Sequence, residues 1–262
     1  MNRIERKFAS LEERGEKALI PFVTAGDPNL ETTEKLVPAM LKAGADLVEI
    51  GVPFSDPIAE GPVIQKASKR ALDAGTTLVK IFDLVRSLRR KTDEPLLLML
   101  YVNCIFRFGT ERFFQLCAET GIDGVIVPDL PYEEREEIQG TAEQYGVIPI
   151  RMIAPTSCER IAMIAAGAKG FLYCVSSTGV TGMRSRFTTN FQEFFDNIKK
   201  YAEIPAAVGF GISSPEQAKQ MSSYCDGVIV GSAIVDIVAR ERGNSVPKVA
   251  DFVTSLKRAI TK

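Results

Sequence analysis

The sequence has no histidine among its 262 residues. That removes imidazole acid–base chemistry, His-based catalytic triads and His metal sites, and leaves proton transfer to carboxylates, Lys, Tyr, Cys or water. Cysteine is sparse. Cys104, Cys117, Cys158, Cys174 and Cys225 are odd in number and widely spaced, with no Cys-x-x-Cys pair. They read as reduced thiols of a cytoplasmic protein, and without a Cys cluster or any His a metal site is not expected. No run approaches the roughly 20 apolar residues of a spanning helix, so no membrane segment is predicted. Residues 1–14 are charged and lack an apolar stretch, which predicts no signal peptide. There is no charge imbalance either: 32 Lys+Arg face 33 Asp+Glu for a net charge of −1. Nothing in that balance suits a nucleic-acid surface. No Pro/Gly/Ser-rich linker divides the chain, so residues 1–262 read as a single domain.

Short apolar runs alternate with helical patterns along the whole length. Strands are expected at 18–24, 46–52, 95–101, 123–128, 147–153, 170–176, 205–210 and 226–231. Their continuous apolar, β-branched character predicts strands buried on both faces of a parallel sheet. Between them, Leu78, Ile81, Phe82, Val85 and Leu88 share one helix face, as do Val249, Phe252, Val253, Leu256 and Ile260. Thr156 with Glu159 reads as a capping box, and Ser214-Pro215 with Gln217 as an N-cap, an N1 proline and a box partner. Gly44, Gly121, Gly146 and Gly167 follow helical stretches where a left-handed residue is wanted. Eight strand–helix units predict an α/β chain closed as a single (β/α)₈ TIM barrel, with an extra N-terminal helix. The alternative is an open doubly wound sheet, but Gly26-Asp27-Pro28 after the first strand is not its Gly-x-Gly-x-x-Gly turn.

In a barrel, chemistry sits just past the strand ends. Glu49 lies inside the apolar run Leu47-Val48-Glu49-Ile50-Gly51. It reads either as a partly desolvated acid–base carboxylate or as one half of a structural ion pair. Glu60 is either a second carboxylate facing the same cavity or a solvated residue at a helix start. Residues 176–186 are small, polar and Gly-rich, with the composition of a loop that closes over a ligand. Gly209-Phe210-Gly211-Ile212-Ser213 and Gly231-Ser232-Ala233 end strands seven and eight, where barrels hold phosphate against backbone N–H groups and a helix N-terminus.

Several segments together carry a family resemblance. They are Pro21-Phe22-Val23-Thr24-Ala25-Gly26-Asp27-Pro28, Glu49-Ile50-Gly51-Val52-Pro53-Phe54-Ser55-Asp56-Pro57, Gly61-Pro62 with Gln65, Tyr101-Val102-Asn103, Pro128-Asp129-Leu130-Pro131, Gly179-Val180-Thr181-Gly182 and the two glycine-rich strand ends. In order and nearly end to end, these resemble the tryptophan synthase alpha subunit. The resemblance implies a lyase that cleaves indole-3-glycerol phosphate to indole and glyceraldehyde-3-phosphate in a retro-aldol step. It implies no cofactor in this chain, and a beta subunit carrying pyridoxal phosphate as partner in an αββα heterotetramer.

Residue by residue, the resemblance makes Glu49 the acid–base carboxylate, moving protons between the glycerol hydroxyl and indole C3, with Tyr173 beside it. Phe22, Leu100, Val127 and Phe210 become the indole walls, and Gly182, Gly211, Gly231 and Ser232 the phosphate site. Thr181 falls on the closing loop, and Pro53 and Asp56 on the loop facing the beta subunit. Glu60 stands where the family has an aspartate that binds the indole N–H. One added methylene shifts a carboxylate by about 1 Å, a displacement that can cost about 10²-fold in rate. Two expectations follow: an active lyase, or an impaired subunit acting chiefly as a ligand-responsive activator of its partner.

Overall fold

The computed structural model describes residues 1–175, 190–209 and 211–261. Eight parallel strands form its centre: β1 (Ala18–Thr24), β2 (Val48–Gly51), β3 (Leu96–Met99), β4 (Gly124–Ile126), β5 in two pieces (Ile148–Pro149 and Arg151–Ile153), β6 (Leu172–Val175), β7 (Ala206–Gly209) and β8 (Gly227–Val230). β1 pairs with both β2 and β8. Successive neighbours pair round the ring as far as β5, whose first piece lies on β4 and whose second lies on β6. The barrel therefore closes through β5 itself. The expected (β/α)₈ barrel is present, with strand bounds one or two residues tighter at most ends than apolar composition suggests. The apolar run continues past the last ladder pair, where Val52 N–H and Leu100 N–H still donate to carbonyls of the next strand.

Twelve α-helices are described. α1 (Arg3–Glu13) is the extra N-terminal helix, and it closes the end of the barrel where the strands begin. Asn2 caps it in a capping box with Glu5, and the Asn2 side-chain amide also donates to the carbonyls of Asp123 and Gly146. Its Ile4, Phe8 and Leu11 are buried with the inward-facing strand residues Ala18, Ile20, Leu97, Ile126 and Ile229. Burial of each such side chain contributes roughly 1.5–3 kcal/mol.

The outer layer follows the chain: α2 (Leu30–Lys42), α3 (Pro62–Asp73), α4 (Leu78–Arg89), α5 (Val102–Phe108), α6 (Thr110–Thr120), α7 (Glu136–Gln144), α8 (Cys158–Ala165), α9 (Phe191–Tyr201), α10 (Pro215–Ser222), α11 (Ser232–Glu241) and α12 (Ser245–Ile260). The faces expected of α4 and α12 are the ones turned inward. Gly44, Gly121, Gly146 and Gly167 all take positive φ.

Two capping expectations need correction. α8 is capped by Ser157, whose hydroxyl accepts from Arg160 N–H, not by Thr156. Both residues suit a cap, and only the start of helical geometry separates them. Ser214 does cap α10, but the Gln217 side chain accepts from Ser213 N–H, one residue upstream of the expected box. No helix among the described residues is long and apolar enough to cross a membrane.

Candidate active site

Alternation along the strands decides what faces the barrel interior. Glu49 is in register with Phe22 on one side and Leu97 on the other, so all three point inward. Glu49 is 0 % exposed, and neither carboxylate oxygen has a hydrogen-bond partner among the described residues. Of its two readings, the structural ion pair is therefore absent among the described residues. Burial drives the Glu49 pKa well above 4.5, and the nearby negative charge of Glu60 raises it further. A buried carboxylic acid of this kind is held protonated, ready to donate.

Glu49, Glu60, Tyr173, Phe22, Gly211, Gly231 and Ser232 line one cavity at the strand ends. Seven residues singled out by sequence thus converge from β1, β2, β6, the β2–α3 loop and the two glycine-rich turns. Glu60 is buried there, not solvated. The Tyr173 hydroxyl is buried too; burial and then the carboxylates of Glu49 and Glu60 push its pKa well above 10, so it remains a neutral phenol.

Two glycines make room for the rings. A methyl on Gly51 would overlap the Phe22 ring, and one on Gly209 would stand 2.7 Å from the Tyr173 hydroxyl. Gly211 has φ +95°, the left-handed region that glycine enters without strain. Gly231 and Ser232 begin α11, so the N-terminus of that helix opens at the cavity. Such an N-terminus favours an anion.

Other expected residues lie elsewhere. Leu100 lines a small adjoining pocket shared with Phe22, Glu60 and Tyr101. Val127 follows inward-facing Ile126, so alternation turns it outward into the layer between strands and helices. There it borders a separate cavity with Tyr132, Arg135, Ile138 and Arg151. Pro53 is buried and Asp56 exposed on the β2–α3 loop, next to Ile58, which is 70 % exposed. Thr181, Gly182 and Phe210 lie outside the described residues.

Sequence reasoning passed over Ile64, Met99, Ile212 and Ile229, which also wall the carboxylate cavity. Strand parity offered a signal for two of them, since Met99 is in phase with Leu97 and Ile229 with Gly227. Ile64 and Ile212 look like any core residue until the fold is closed.

A family profile described as "Tryptophan synthase alpha chain" matches residues 8–261. The tryptophan synthase alpha chain of Alkaliphilus metalliredigens is 50% identical over 258 residues, covering 98% of this chain and 97% of that one. Among solved structures, tryptophan synthase subunit alpha from Legionella pneumophila str. Paris superposes with a TM-score of 0.89 at 35% identity, over 99% of this chain and 98% of that one. A chain of Mycobacterium tuberculosis tryptophan synthase gives a TM-score of 0.91 at 30% identity, over 100% and 99% of the two chains.

Proposed function

Because the chain belongs to the tryptophan synthase alpha chain family, we propose that the mouth of its barrel cleaves indole-3-glycerol phosphate to indole and glyceraldehyde-3-phosphate. The observation that carries this reading is Glu49: a fully buried carboxyl with no hydrogen-bond partner among the described residues, on the wall of a cavity that also holds a second carboxylate and a helix N-terminus. A group held protonated by its surroundings suits delivery of a proton to a ring carbon.

In this reading Glu49 gives its proton to indole C3 and takes one from the glycerol hydroxyl. The bond between C3 and the hydroxyl-bearing carbon breaks, its electron pair returns to the indole ring, and the hydroxyl carbon becomes the aldehyde. Glu60 accepts a hydrogen bond from the indole N–H as positive charge grows there. Tyr173 packs beside Glu49, and Phe22 and Leu100 flank the ring. Gly211, Gly231 and Ser232 hold the phosphate at the start of α11, where the helix dipole favours negative charge. Gly182, Thr181 and Phe210 keep the roles implied by the family resemblance.

The name of the family gives the chain a beta subunit as partner. Pro53 and Asp56, with exposed Ile58 beside them, form the part of the β2–α3 loop that would meet it, in an αββα assembly in which pyridoxal phosphate belongs to the beta subunit. The activator reading gains nothing from the comparisons, and Glu60 reaches the same cavity as Glu49. The test is indole release from indole-3-glycerol phosphate, by the chain alone and with a beta subunit, beside Glu60→Asp. Turnover within tenfold of Glu60→Asp supports the lyase. No detectable indole, with faster indole–serine condensation by the partner, overturns it.

A further inference from the structure

Tyr101, Gln65 and Asp129 stand out in the sequence, yet the lyase reading leaves them without a task. All three bear on the short loop that carries Glu60. Ala59 N–H donates to the Tyr101 hydroxyl at 2.9 Å. The Gln65 side-chain amide donates to the Glu60 carbonyl at 2.8 Å. The Ile58–Ala59 peptide just before Glu60 and the Glu60–Gly61 peptide after it are thus held, one by a strand end and the other by a helix. The loop is tightened further by Glu60 N–H donating to the Pro57 carbonyl at 3.1 Å.

The anchor is itself well held. The Tyr101 ring is buried and stacks on Phe54 of the same loop, centroids 5.0 Å apart. Tyr101 precedes α5, whose first N–H, from Val102, donates to the Asp129 carboxylate at 2.9 Å. Asp129 follows β4, so the support runs across neighbouring strand ends.

We propose that Tyr101 and Gln65 are positioning residues that clamp the backbone on either side of Glu60 and so hold its carboxylate over the active-site cavity. The proposal rests on the lyase reading and explains how a glutamate is accommodated there. With the backbone pinned, the added methylene is taken up by side-chain torsions and not by retreat of the loop. Tyr101 dominates because its ring is buried and stacked, whereas the Gln65 side chain is exposed to solvent and its bond competes with water.

The test uses the complex with the beta subunit and the variants Tyr101→Phe and Gln65→Leu, each also made in a Glu60→Gln background. Tyr101→Phe keeps the ring stack on Phe54 and removes only the acceptor. It is expected to lower kcat for indole release about tenfold with KM within twofold, less than the roughly 10²-fold that a full 1 Å misplacement can cost. Gln65→Leu is expected to lower it about threefold. Neither change should cost anything further once Glu60 is Gln. In parallel, amide hydrogen exchange across residues 57–61 should quicken several-fold in Tyr101→Phe, whatever the turnover. An undiminished kcat in Tyr101→Phe, an equal loss in the Glu60→Gln background, or unchanged exchange overturns the clamp. If the unaltered complex releases no indole, the lyase reading falls, and the exchange result alone decides the clamp.

Discussion

The two ends of this barrel treat carboxylates in opposite ways. At the end where the strands begin, Asp123 accepts from Arg3 at 3.0 Å, from Arg89 at 2.9 Å and from Leu96 N–H at 2.9 Å. Asp46 accepts from Leu19 N–H and Lys257 Nζ, both at 2.8 Å. Asp226 accepts from Ala206 N–H at 3.1 Å and Lys17 Nζ at 3.3 Å. Each of these aspartates satisfies the N–H of a residue at the start of a strand and takes a cation as well. At the other end Glu49 is buried with no hydrogen-bond partner among the described residues. An unpaired buried carboxyl is costly and is expected only where function holds it in place. One end is built for stability and the other for chemistry, the division that barrel topology leads one to expect.

The largest effect that would break this comparison concerns activity. Glu49→Gln keeps size and shape and removes the titratable proton. Indole release should fall roughly 10³-fold, within the range for loss of a general acid–base group, while the melting temperature at pH 4.5 changes little. The counterpart is Asp123→Ala. It removes the buried carboxylate opposite Arg89 and Arg3 and leaves Leu96 N–H without its acceptor, and should cost roughly 3–5 kcal/mol in urea unfolding, with kcat/KM within twofold in the protein that remains folded. If Asp123→Ala were as damaging to turnover as Glu49→Gln, the division between the ends would not stand.

A smaller effect sharpens the contrast through pH. Burial raises the Glu49 pKa above 4.5, so the folded chain keeps a proton that the unfolded chain gives up. The stability this group contributes is fully present below 4.5 and is lost as pH rises towards the folded pKa, by about 1.4 kcal/mol per pH unit across that window. Glu49→Gln removes this slope. Unfolding free energies of the two proteins between pH 4.5 and 7 should therefore diverge, with the unaltered chain losing more. Asp46 is also raised by burial, with Lys257 opposing, and acts in the same direction. It is present in both proteins and cancels in the difference.

How much of this was legible in the sequence depends on which physical signal each residue carries. The barrel was legible because eight apolar runs, helix faces and C-terminal glycines all repeat one strand–helix unit. Glu49 was legible because a charge in an apolar run needs a reason. Whether it was paired was not legible, because a partner comes from strands far away in sequence. Val127 shows the same limit from the other side: one step along β4 turns a side chain from the cavity to the helix layer, and composition says nothing about that step. Thr156 and Ser157 are equally able caps, and only backbone geometry chooses between them. Ile64 and Ile212 carry no local mark at all, since their place at the cavity exists only after closure.

The central claim is that the barrel mouth holds Glu49 protonated, with no hydrogen-bond partner among the described residues, and its most direct test is titration of that one carboxyl. With carbon-13-labelled glutamate, and Glu49→Gln to assign the resonance, the Glu49 side-chain carboxyl signal should titrate well above 4.5 in the folded chain. A Glu49 signal that titrates at or below 4.5 would contradict the account.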